Sequence, residues 1–420
     1  MNKKRIFALL LALVMVVGVV AACGDSKTDP SKVPEETDVP EETDAPEETD
    51  APEETDAPEE TDAPEETEAP ETDDLHKEGK LDASGNAEIA LITDVGTIDD
   101  KSFNQGAWEG VVQYALDNDK TFRYFQPTEA SDAAYINSIN LAIEGGAKVV
   151  VTPGFLFETP IYTVQDQFPD VNFILLDGYP HAGDYVPAIS DNAIGILYAE
   201  EESGYLAGYA AVHEGYRDLG FMGGMAVPAV VRFGYGYLQG AEDAAKELGL
   251  AAGDVNIKYT YVGNFDASPE NESMAASWFQ EGTEVIFACG GAVGTSVMKA
   301  AEKADAKVIG VDVDQYAESD TVITSAMKNL KKSVNDAIAS IYDGTWEGGT
   351  SVVLDATEGY TMISMENARF ENFTQAQYDA VYAELVAGSI EIPKDTDESG
   401  AEINEPTDLV FDIITIENIK

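Results

Sequence analysis

The segment from residue 87 to residue 112, AEIALITDVGTIDDKSFNQGAWEGVV, constrains the fold of this chain more than any other. Its apolar run Ile89 to Thr93 is typical of a buried strand, a polar loop containing glycine follows, and a helix is predicted to begin near Ser102. Ser102 and Gln105 have the spacing of a capping box. Strand, loop and helix form the first half of a βαβ unit, in which ligands bind beyond the carboxyl end of the strand.

The loop after this strand carries side chains that suit a polar ligand with a flat ring. Acidic, aromatic and amide groups fall within eleven positions: Asp94, Asp99, Asp100, Phe103 and Asn104. The N–H groups at a helix start and several acceptors meet an aromatic face here. On spacing alone, an interpretation in which the aspartates cap the helix and the Phe packs in the core fits equally well.

The N-terminus has the pattern of a secretory signal peptide, predicted over residues 1–22. Basic residues at 3–5 precede an apolar run at 6–20, which is short for a membrane span. The sequence Val-Ala-Ala-Cys ending at Cys23 resembles a bacterial lipobox. That resemblance implies cleavage before Cys23, a lipid on its sulfur, and attachment to the lipid bilayer on the extracytoplasmic face of the cell membrane. The alternative is an ordinary signal peptide followed by an incidental cysteine.

Residues 23–86 are predicted to be the lipidated cysteine followed by a disordered acidic spacer. The hexad Pro-Glu-Glu-Thr-Asp-Ala/Val begins at Pro34 and recurs through the segment. Proline and repulsion between carboxylates favour an extended, solvated chain, so we interpret the spacer as a passive stalk. A metal-buffering or adhesive role is the alternative.

The folded remainder is acidic in its own right. The whole chain carries a formal charge of −55, of which residues 80–420 carry −37. Nucleic-acid binding needs basic surface, so this charge argues against it. Cys289 is the second of two cysteines and lacks a partner if Cys23 is lipidated, so we expect no disulfide. The three histidines are scattered, and neither a metal site nor a cofactor is expected.

Apolar strand candidates alternate with helical stretches through the rest of the chain. This pattern predicts an α/β protein of two lobes, each a doubly wound parallel sheet with helices on both faces. The strand candidates end at Thr93, Thr152, Asp177, Met222, Ala288 and Val311. The helices are predicted at 103–117, 133–144, 192–213, 233–248, 269–281 and 294–303. Lobe 1 is predicted to contain residues 87–190 and 325–346, and lobe 2 residues 191–324 and 347–420.

Candidate ligand-binding residues recur where strands end and helices begin, and this recurrence favours a site between the lobes. Asp177 and Asp312 end strands, Gly290 and Gly291 follow one, and Phe233 and Lys328 are expected at helix starts. Each has a simpler explanation: Asp177 as a turn cap, the glycines as sites of close packing, Lys328 as a surface lysine. Tyr235 and Tyr237 are candidates for either the core or the groove lining.

Several motifs together resemble the basic membrane protein family, purine-nucleoside-binding lipoproteins of bacterial ABC importers. The motifs are VGTIDDKSFNQGAWEG, ESGYLAGYAA, MGGMAVPAVVRFGYGYLQG, ACGGAVG, GVDVDQ and TSAMK. The resemblance runs from about residue 87 to about residue 360. It implies a two-lobed type I periplasmic-binding-protein fold with three crossovers between the lobes. One departure is that Val231 and Arg232 precede the second Phe where many relatives have serine.

The resemblance also implies a role for each matching residue. The purine would lie between Phe103 and Phe233, and its edge would be held by Asp94, Asn104 and Asp177. The ribose would be held by Asp312 and Lys328, with backbone from the turn at Gly290 and Gly291.

The resulting prediction is a membrane-anchored solute receptor, not an enzyme, for purine nucleosides such as inosine, guanosine or adenosine. A permease and its ATPase are the implied partners, and a monomer is the expected state. The alternatives are a receptor of the same fold for another small polar solute, such as a sugar or signalling ligand, a nucleoside hydrolase, and an adhesin. The sequence contains neither a GxSxG motif nor a metal-binding cluster, which argues against the hydrolase.

Overall fold

Alternate side chains of the first strand pack against different helices, which shows how each sheet is covered on both faces. The structure, a computed structural model, describes residues 77–396, 402–403 and 405–420. Ile89 and Leu91 belong to one buried cluster, and Ala90 and Ile92 belong to another. Because neighbouring side chains of a strand point to opposite faces, an apolar run without polar alternation requires helices on both sides.

The first sheet has six parallel strands in the order β11-β5-β4-β3-β1-β2. They are β1 (Ile89–Ile92), β2 (Phe122–Phe125), β3 (Val149–Pro153), β4 (Asn172–Leu176), β5 (Ala193–Tyr198) and β11 (Thr350–Leu354). The helices α1 (Phe103–Asp117) and α8 (Leu330–Asp343) contribute to the cluster on one face. The other face is covered by α2 (Asp132–Glu144) and α3 (Glu158–Val164).

The second sheet has seven strands in the order β12-β10-β9-β8-β6-β7-β13. They are β6 (Asp218–Gly223), β7 (Val255–Tyr261), β8 (Val285–Cys289), β9 (Lys307–Asp312), β10 (Val322–Lys328), β12 (Thr361–Ile363) and β13 (Ile414–Asn418). All the pairings are parallel except that of β10 with β12. One face packs against α4 (Glu200–Glu214), α5 (Pro228–Glu247) and α9 (Gln375–Val386), and the other against α6 (Pro269–Gln280) and α7 (Val293–Ala304).

The strand order reverses at β1/β3 in the first sheet and at β6/β8 in the second. These are the switch points where open α/β sheets form ligand crevices beyond their carboxyl ends. The predicted fold class is therefore confirmed: the chain has two doubly wound, mainly parallel sheets. Below, lobe 1 means the first sheet with its helices, and lobe 2 means the second.

Strand pairing corrects the predicted limits of the lobes. The helix predicted from residue 192 is strand β5 up to Tyr198, paired with β4 and β11 of lobe 1. A short run rich in Ala, Gly and Ile does not distinguish a buried strand from a helix by periodicity. The chain therefore leaves lobe 1 after Tyr198, not at 191. Residues 325–328 belong to β10 of lobe 2, and residues 350–354 belong to lobe 1.

The ends of the folded region also differ from the prediction. Lys80 pairs with Phe122 through two backbone hydrogen bonds of 2.8 and 2.7 Å, so residues 80–86 are not part of the spacer. At the other end, β13 extends the second sheet beside β7. The Glu242 carboxylate accepts hydrogen bonds from the backbone N–H groups of residues 412–414. The last strand therefore belongs to lobe 2. The predicted signal peptide, Cys23 and the acidic repeats lie outside the described residues.

Candidate functional site

One cavity of about 1060 Å³ lies between the lobes, beyond the carboxyl ends of both sheets. Its walls include every residue that the sequence predicted as a ligand contact: Asp94, Phe103, Asn104, Asp177, Phe233, Gly290, Gly291, Asp312 and Lys328. Asp99 and Asp100 of the predicted ligand-binding loop also line the wall, as do charged residues that the sequence did not predict as ligand contacts: Lys101, Glu158, Arg232, Asp266, Glu318 and Asp395. The volume is slightly above the usual range for small-molecule sites, about 300–1,000 Å³.

Asp100, not Ser102, caps the helix that begins at Phe103. The Asp100 carboxylate accepts from the backbone N–H groups of Ser102, Asn104 and Gln105 at 2.9, 3.0 and 3.1 Å. The Ser102 side chain makes no capping hydrogen bond, and the Gln105 amide donates to Glu109. The predicted capping box is therefore wrong. The two oxygens of a carboxylate accept from three N–H groups at the start of the helix, whereas a capping hydroxyl usually accepts from one.

Asn104 links two carboxylates at the wall formed by lobe 1. Its amide nitrogen donates to Asp94 Oδ1 and Asp100 Oδ2, both at 2.9 Å, and its oxygen accepts from the Asp94 N–H at 3.3 Å. Burial raises the pKa of Asp94, and it raises the pKa of Asp100 to about 6. Both N–H bonds of Asn104 are thus committed to carboxylates, and this wall mainly offers acceptors to a ligand.

Lys328 is the central cation of the cavity. It ends strand β10 instead of beginning a helix, and only 3% of the residue is exposed. Its Nζ lies 2.6 Å from Asp177 Oδ2, 3.5 Å from Asp312 Oδ1 and 3.7 Å from Glu200 Oε1. Burial acts to lower the pKa of Lys328, but these three carboxylates outweigh it and raise that pKa above its usual range. The lysine is therefore charged, and the simpler interpretation as a surface lysine is excluded.

Asp177 and Asp312 occupy equivalent positions in the two lobes. Asp177 directly follows β4 and Asp312 ends β9, and both have left-handed backbones, with φ of 57° and 66°. Non-glycine residues adopt this conformation rarely, and it is concentrated at functional sites. Burial raises the pKa of Asp177, and its Oδ1 is buried without a hydrogen-bond partner among the described residues. That oxygen is an available acceptor.

Two aromatic rings from different lobes face the same ammonium group. The Nζ of Lys328 lies 4.4 Å from the ring centroid of Phe103 and 5.6 Å from that of Phe233. Phe233 is also held edge-on against Phe287, with centroids 5.9 Å apart. Lys328 is within the range for cation–π attraction to both rings. A core-only role for Phe103 is excluded, because its ring is partly exposed and lines the cavity.

Arg232 forms a second buried charge cluster beside the first. Its Nε lies 2.6 Å from Glu200 Oε2, and its Nη1 lies 3.5 Å from Asp395 Oδ1. Glu200 is fully buried and therefore bridges Arg232 and Lys328. The adjacent Glu201 pairs with Lys394 at 2.8 Å. The run of three glutamates that opens α4 was the available sequence signal for this cluster, since consecutive acids before an apolar helix need partners when buried.

Close backbone contact between α4 and α5 places these groups. Each helix has glycines four residues apart, at 204 and 208 in α4 and at 236 and 240 in α5. A Cβ at any of the four would lie within 2.1 Å of a carbonyl oxygen of the other helix. The motifs ESGYLAG and FGYGYLQG thus bring the Glu200 and Phe233 ends of the two helices together. Tyr235 and Tyr237 are 1% and 0% exposed and belong to the core, not to the cavity wall.

The turn after β8 requires both of its glycines. A Cβ at Gly290 would lie 2.7 Å from the backbone nitrogen of Gly224, and Gly291 has a left-handed φ of 55°. The preceding Cys289 is 2% exposed, and burial raises the pKa of its thiol well above the usual value. The described residues contain neither a histidine, cysteine and carboxylate cluster that could hold a metal ion nor a helix long and apolar enough to cross a membrane.

Comparison with known proteins agrees with this geometry. The model of the Bmp family, described as PnrA-like substrate-binding proteins of ABC transporters, matches residues 87–396. An ABC transporter nucleoside-binding protein of Lactococcus lactis subsp. cremoris is 29% identical over 345 residues, covering 74% of this chain and 92% of that protein. Basic membrane protein A of Borreliella burgdorferi is 27% identical over 313 residues, covering 73% of this chain and 87% of that protein.

A solved structure supports the same assignment at the level of the fold. The ABC transporter solute-binding protein of Aeropyrum pernix K1 superposes with a TM-score of 0.63 at 23% identity, over 74% of this chain and 94% of that one. The family resemblance and the periplasmic-binding-protein fold predicted from the motifs are therefore confirmed. The chain belongs to the Bmp family of PnrA-like substrate-binding proteins of ABC transporters.

Proposed function

We propose that this protein binds a purine nucleoside between its lobes and delivers it to an ABC permease. The observation that carries the proposal is the environment of Lys328, where two aromatic rings and the carboxylates of Asp177 and Asp312, from both lobes, meet at one cavity. A nucleoside has an aromatic base and a hydroxylated sugar, and it matches both features. The nucleoside-binding relative from Lactococcus lactis supports this ligand class.

The aromatic residues and the acceptors of lobe 1 would recognise the base. Phe103 and Phe233 would stack on its faces, which contributes roughly 0.5–1.5 kcal/mol for each aromatic pair beyond burial. Asp94 Oδ1 is occupied by Gly96 N–H and the Asn104 amide. Its Oδ2 and the free Oδ1 of Asp177 are then the acceptors for N–H groups on the base edge. Purines such as inosine and guanosine have such N–H donors.

Asp312 and Lys328 would hold the ribose. A buried carboxylate can accept from two neighbouring hydroxyls in charge-assisted hydrogen bonds. Lys328 lies 3.5 Å from Asp312 Oδ1 and compensates its charge. The backbone turn at Gly290 and Gly291 lies on the same wall. Because Phe103 belongs to lobe 1 and Phe233 to lobe 2, a bound nucleoside would favour the closed arrangement of the lobes, which would then dock on the permease.

The proposal includes a lipid anchor at Cys23, with the folded lobes on the extracytoplasmic face of the membrane. It is supported by the lipobox-like sequence ending at Cys23. Metabolic labelling with radioactive palmitate in the native cell tests it. Label should enter the wild-type chain and be absent from Cys23→Ala. Equal labelling of both chains would refute the anchor.

Calorimetric titration of the full-length chain with inosine, guanosine, adenosine, cytidine and ribose tests the ligand class. We expect submicromolar binding of at least one purine nucleoside, weaker binding of cytidine and no heat with ribose. Binding of ribose alone would support a sugar receptor instead. Release of hypoxanthine during incubation with inosine would show an enzyme and overturn the receptor assignment.

A further inference from the structure

Two buried hydrogen bonds join the lobes beside the cavity, and neither involves a residue assigned above to the base. Ser102 Oγ of lobe 1 donates to Asp312 Oδ2 of lobe 2 at 2.5 Å. Gln315 Nε2 of lobe 2 donates to the Lys101 carbonyl oxygen of lobe 1 at 2.7 Å. Ser102, Asp312 and Gln315 are 0%, 6% and 2% exposed. Water therefore competes little with either bond.

Ser102 is available for this contact because the helix does not need it. Asp100 already accepts from the N–H groups of the first turn, including that of Ser102 itself. The Ser102 hydroxyl is thus directed across the cleft. It occupies Oδ2 of Asp312 and leaves Oδ1 on the side of Lys328. The hydroxyl of Ser102 therefore determines which oxygen of Asp312 faces a ligand.

Gln315 is a rigid donor within lobe 2. The side-chain oxygen of Gln315 accepts from Val311 N–H at 3.1 Å, and the backbone N–H of Gln315 donates to Ser325 Oγ at 3.0 Å. The absence of a side chain at Gly310 makes room for it, since a Cβ there would lie 2.4 Å from Gln315 Oε1. The side-chain N–H of Gln315 points towards lobe 1, where it donates to the Lys101 carbonyl oxygen.

The hydrogen bond from Gln315 holds the backbone of Lys101 in an unusual conformation. Its φ of 62° is left-handed, which is uncommon for a residue with a side chain. It directly precedes Ser102, Phe103 and Asn104, so its conformation sets where the first ring and the amide lie. At the outer edge, Lys101 Nζ also approaches Glu318 Oε1 at 3.5 Å.

We propose that Lys101 and Ser102 of lobe 1 and Asp312 and Gln315 of lobe 2 form an interlobe clamp. The clamp sets the register of the base half-site, Phe103 and Asn104, against the ribose half-site, Asp312 and Lys328. Ser102 and Gln315 are positioning residues: they act on the closed arrangement of the lobes and touch no ligand. The role of the clamp in affinity rests on the proposed nucleoside function, whereas its role in closure does not.

The variants Ser102→Ala, Gln315→Ala and their double mutant test the clamp, each with a matched control. Gln165 is an equally buried glutamine that makes the same kind of bridge within lobe 1, from Ala188 O to Ser190 N–H. Ser319 is a buried serine that bonds Glu302 and Thr321 within lobe 2. The controls Gln165→Ala and Ser319→Ala remove the same side-chain groups without touching the contact between the lobes.

The first readout is inosine binding to the full-length chain. Each clamp variant should bind inosine about five- to tenfold more weakly, the equivalent of one net hydrogen bond. The loss should appear as faster dissociation in stopped flow. The two controls should keep wild-type affinity. Wild-type affinity in the double mutant, or an equal loss in the controls, would overturn the proposal.

The second readout does not need a ligand. Fluorophores on Thr128→Cys in lobe 1 and Glu270→Cys in lobe 2, both exposed, report the distance between the lobes by energy transfer. Cys23→Ser removes the competing thiol, and Cys289 is buried. The double clamp mutant should give a longer mean distance than wild type without ligand, and the controls should not. An unchanged distance refutes the clamp. If the double mutant opens but the wild-type chain binds no inosine, the nucleoside proposal alone is refuted.

Discussion

Lys328 and Asp177 belong to different lobes, yet their side chains form a 2.6 Å ion pair within the cleft. Asp177 follows the fourth strand of lobe 1, and Lys328 ends β10 of lobe 2. The pair therefore exists only when the lobes are close together. It connects the geometry of closure directly to the electrostatics of the proposed site.

Replacing Lys328 with Met should both destabilise the fold and abolish nucleoside binding. Asp177, Glu200 and Asp312 would lose their shared cation, and uncompensated buried charge costs about 3–5 kcal/mol. Urea unfolding at pH 7 measures the loss. Lys332→Met is the control, because Lys332 is 40% exposed and its pair with Asp336 contributes little. Equal stability of the two variants would contradict the central role of Lys328.

Replacing Phe103 with Ala should weaken inosine binding by about fivefold or more while leaving the fold intact. The ring contributes stacking of about 1 kcal/mol in addition to its buried area. Calorimetry measures the affinity, and a melting curve checks the fold. Phe168→Ala is the control, since Phe168 is also a half-buried phenylalanine of lobe 1 but does not line the cavity. Unchanged inosine affinity in Phe103→Ala would refute the stacked pose.

The substitution Gly208→Ala should destabilise lobe 2 by about 1–3 kcal/mol or more, because the added methyl group overpacks the contact between two helices. Its Cβ would lie 2.0 Å from the Tyr237 carbonyl oxygen, so α4 and α5 must separate. Gly294→Ala provides the contrast: it lies in α7 with no atom within 3.8 Å of the added carbon. Alanine there should leave stability unchanged or raise it by up to about 1 kcal/mol. Differential scanning calorimetry distinguishes the two results.

Asp100 should make stability depend on pH in the mildly acidic range. Burial raises its pKa from 3.8 to about 6 in the folded chain. Between these two pKa values, the carboxyl of Asp100 is protonated in the folded state and ionised in the unfolded state. The resulting stabilisation is complete below pH 4 and disappears as the pH rises through about 6, an effect of the order of 2–3 kcal/mol.

Asp100→Asn should remove this part of the pH dependence. Urea unfolding of the wild type and the variant at pH 4, 5, 6 and 7 gives the difference in unfolding free energy at each pH. Because the other buried carboxyls titrate in both proteins, their contributions cancel in that comparison. A difference that stays constant from pH 4 to pH 7 would show that Asp100 titrates at its ordinary pKa.

Local patterns in the sequence determined much of the architecture and the membership of the cavity wall. The apolar runs predicted six strands within about one residue of their ends, because a strand buried on both faces needs a continuous apolar run. Strand ends of a parallel sheet meet at one edge, so Asp94 and Asp177 could be grouped in one lobe, and Gly290 and Asp312 in the other, from the sequence. The family motifs added Phe103, Phe233 and Lys328.

Only the tertiary structure decided which partner each polar group takes. Ser102 has the local sequence of a helix cap, yet it bonds Asp312, 210 residues away. Asp100 is the better cap because it offers two charged oxygens. Strand β5 resembles a helix in sequence and becomes a strand because β4 and β11 supply partners on both sides. Glu200 meets Arg232 and Lys328 only because glycines let α4 and α5 touch. Hydrophobic periodicity records how a segment is buried, whereas the partner in a long-range hydrogen bond or ion pair depends on two distant segments and cannot be read from either one alone.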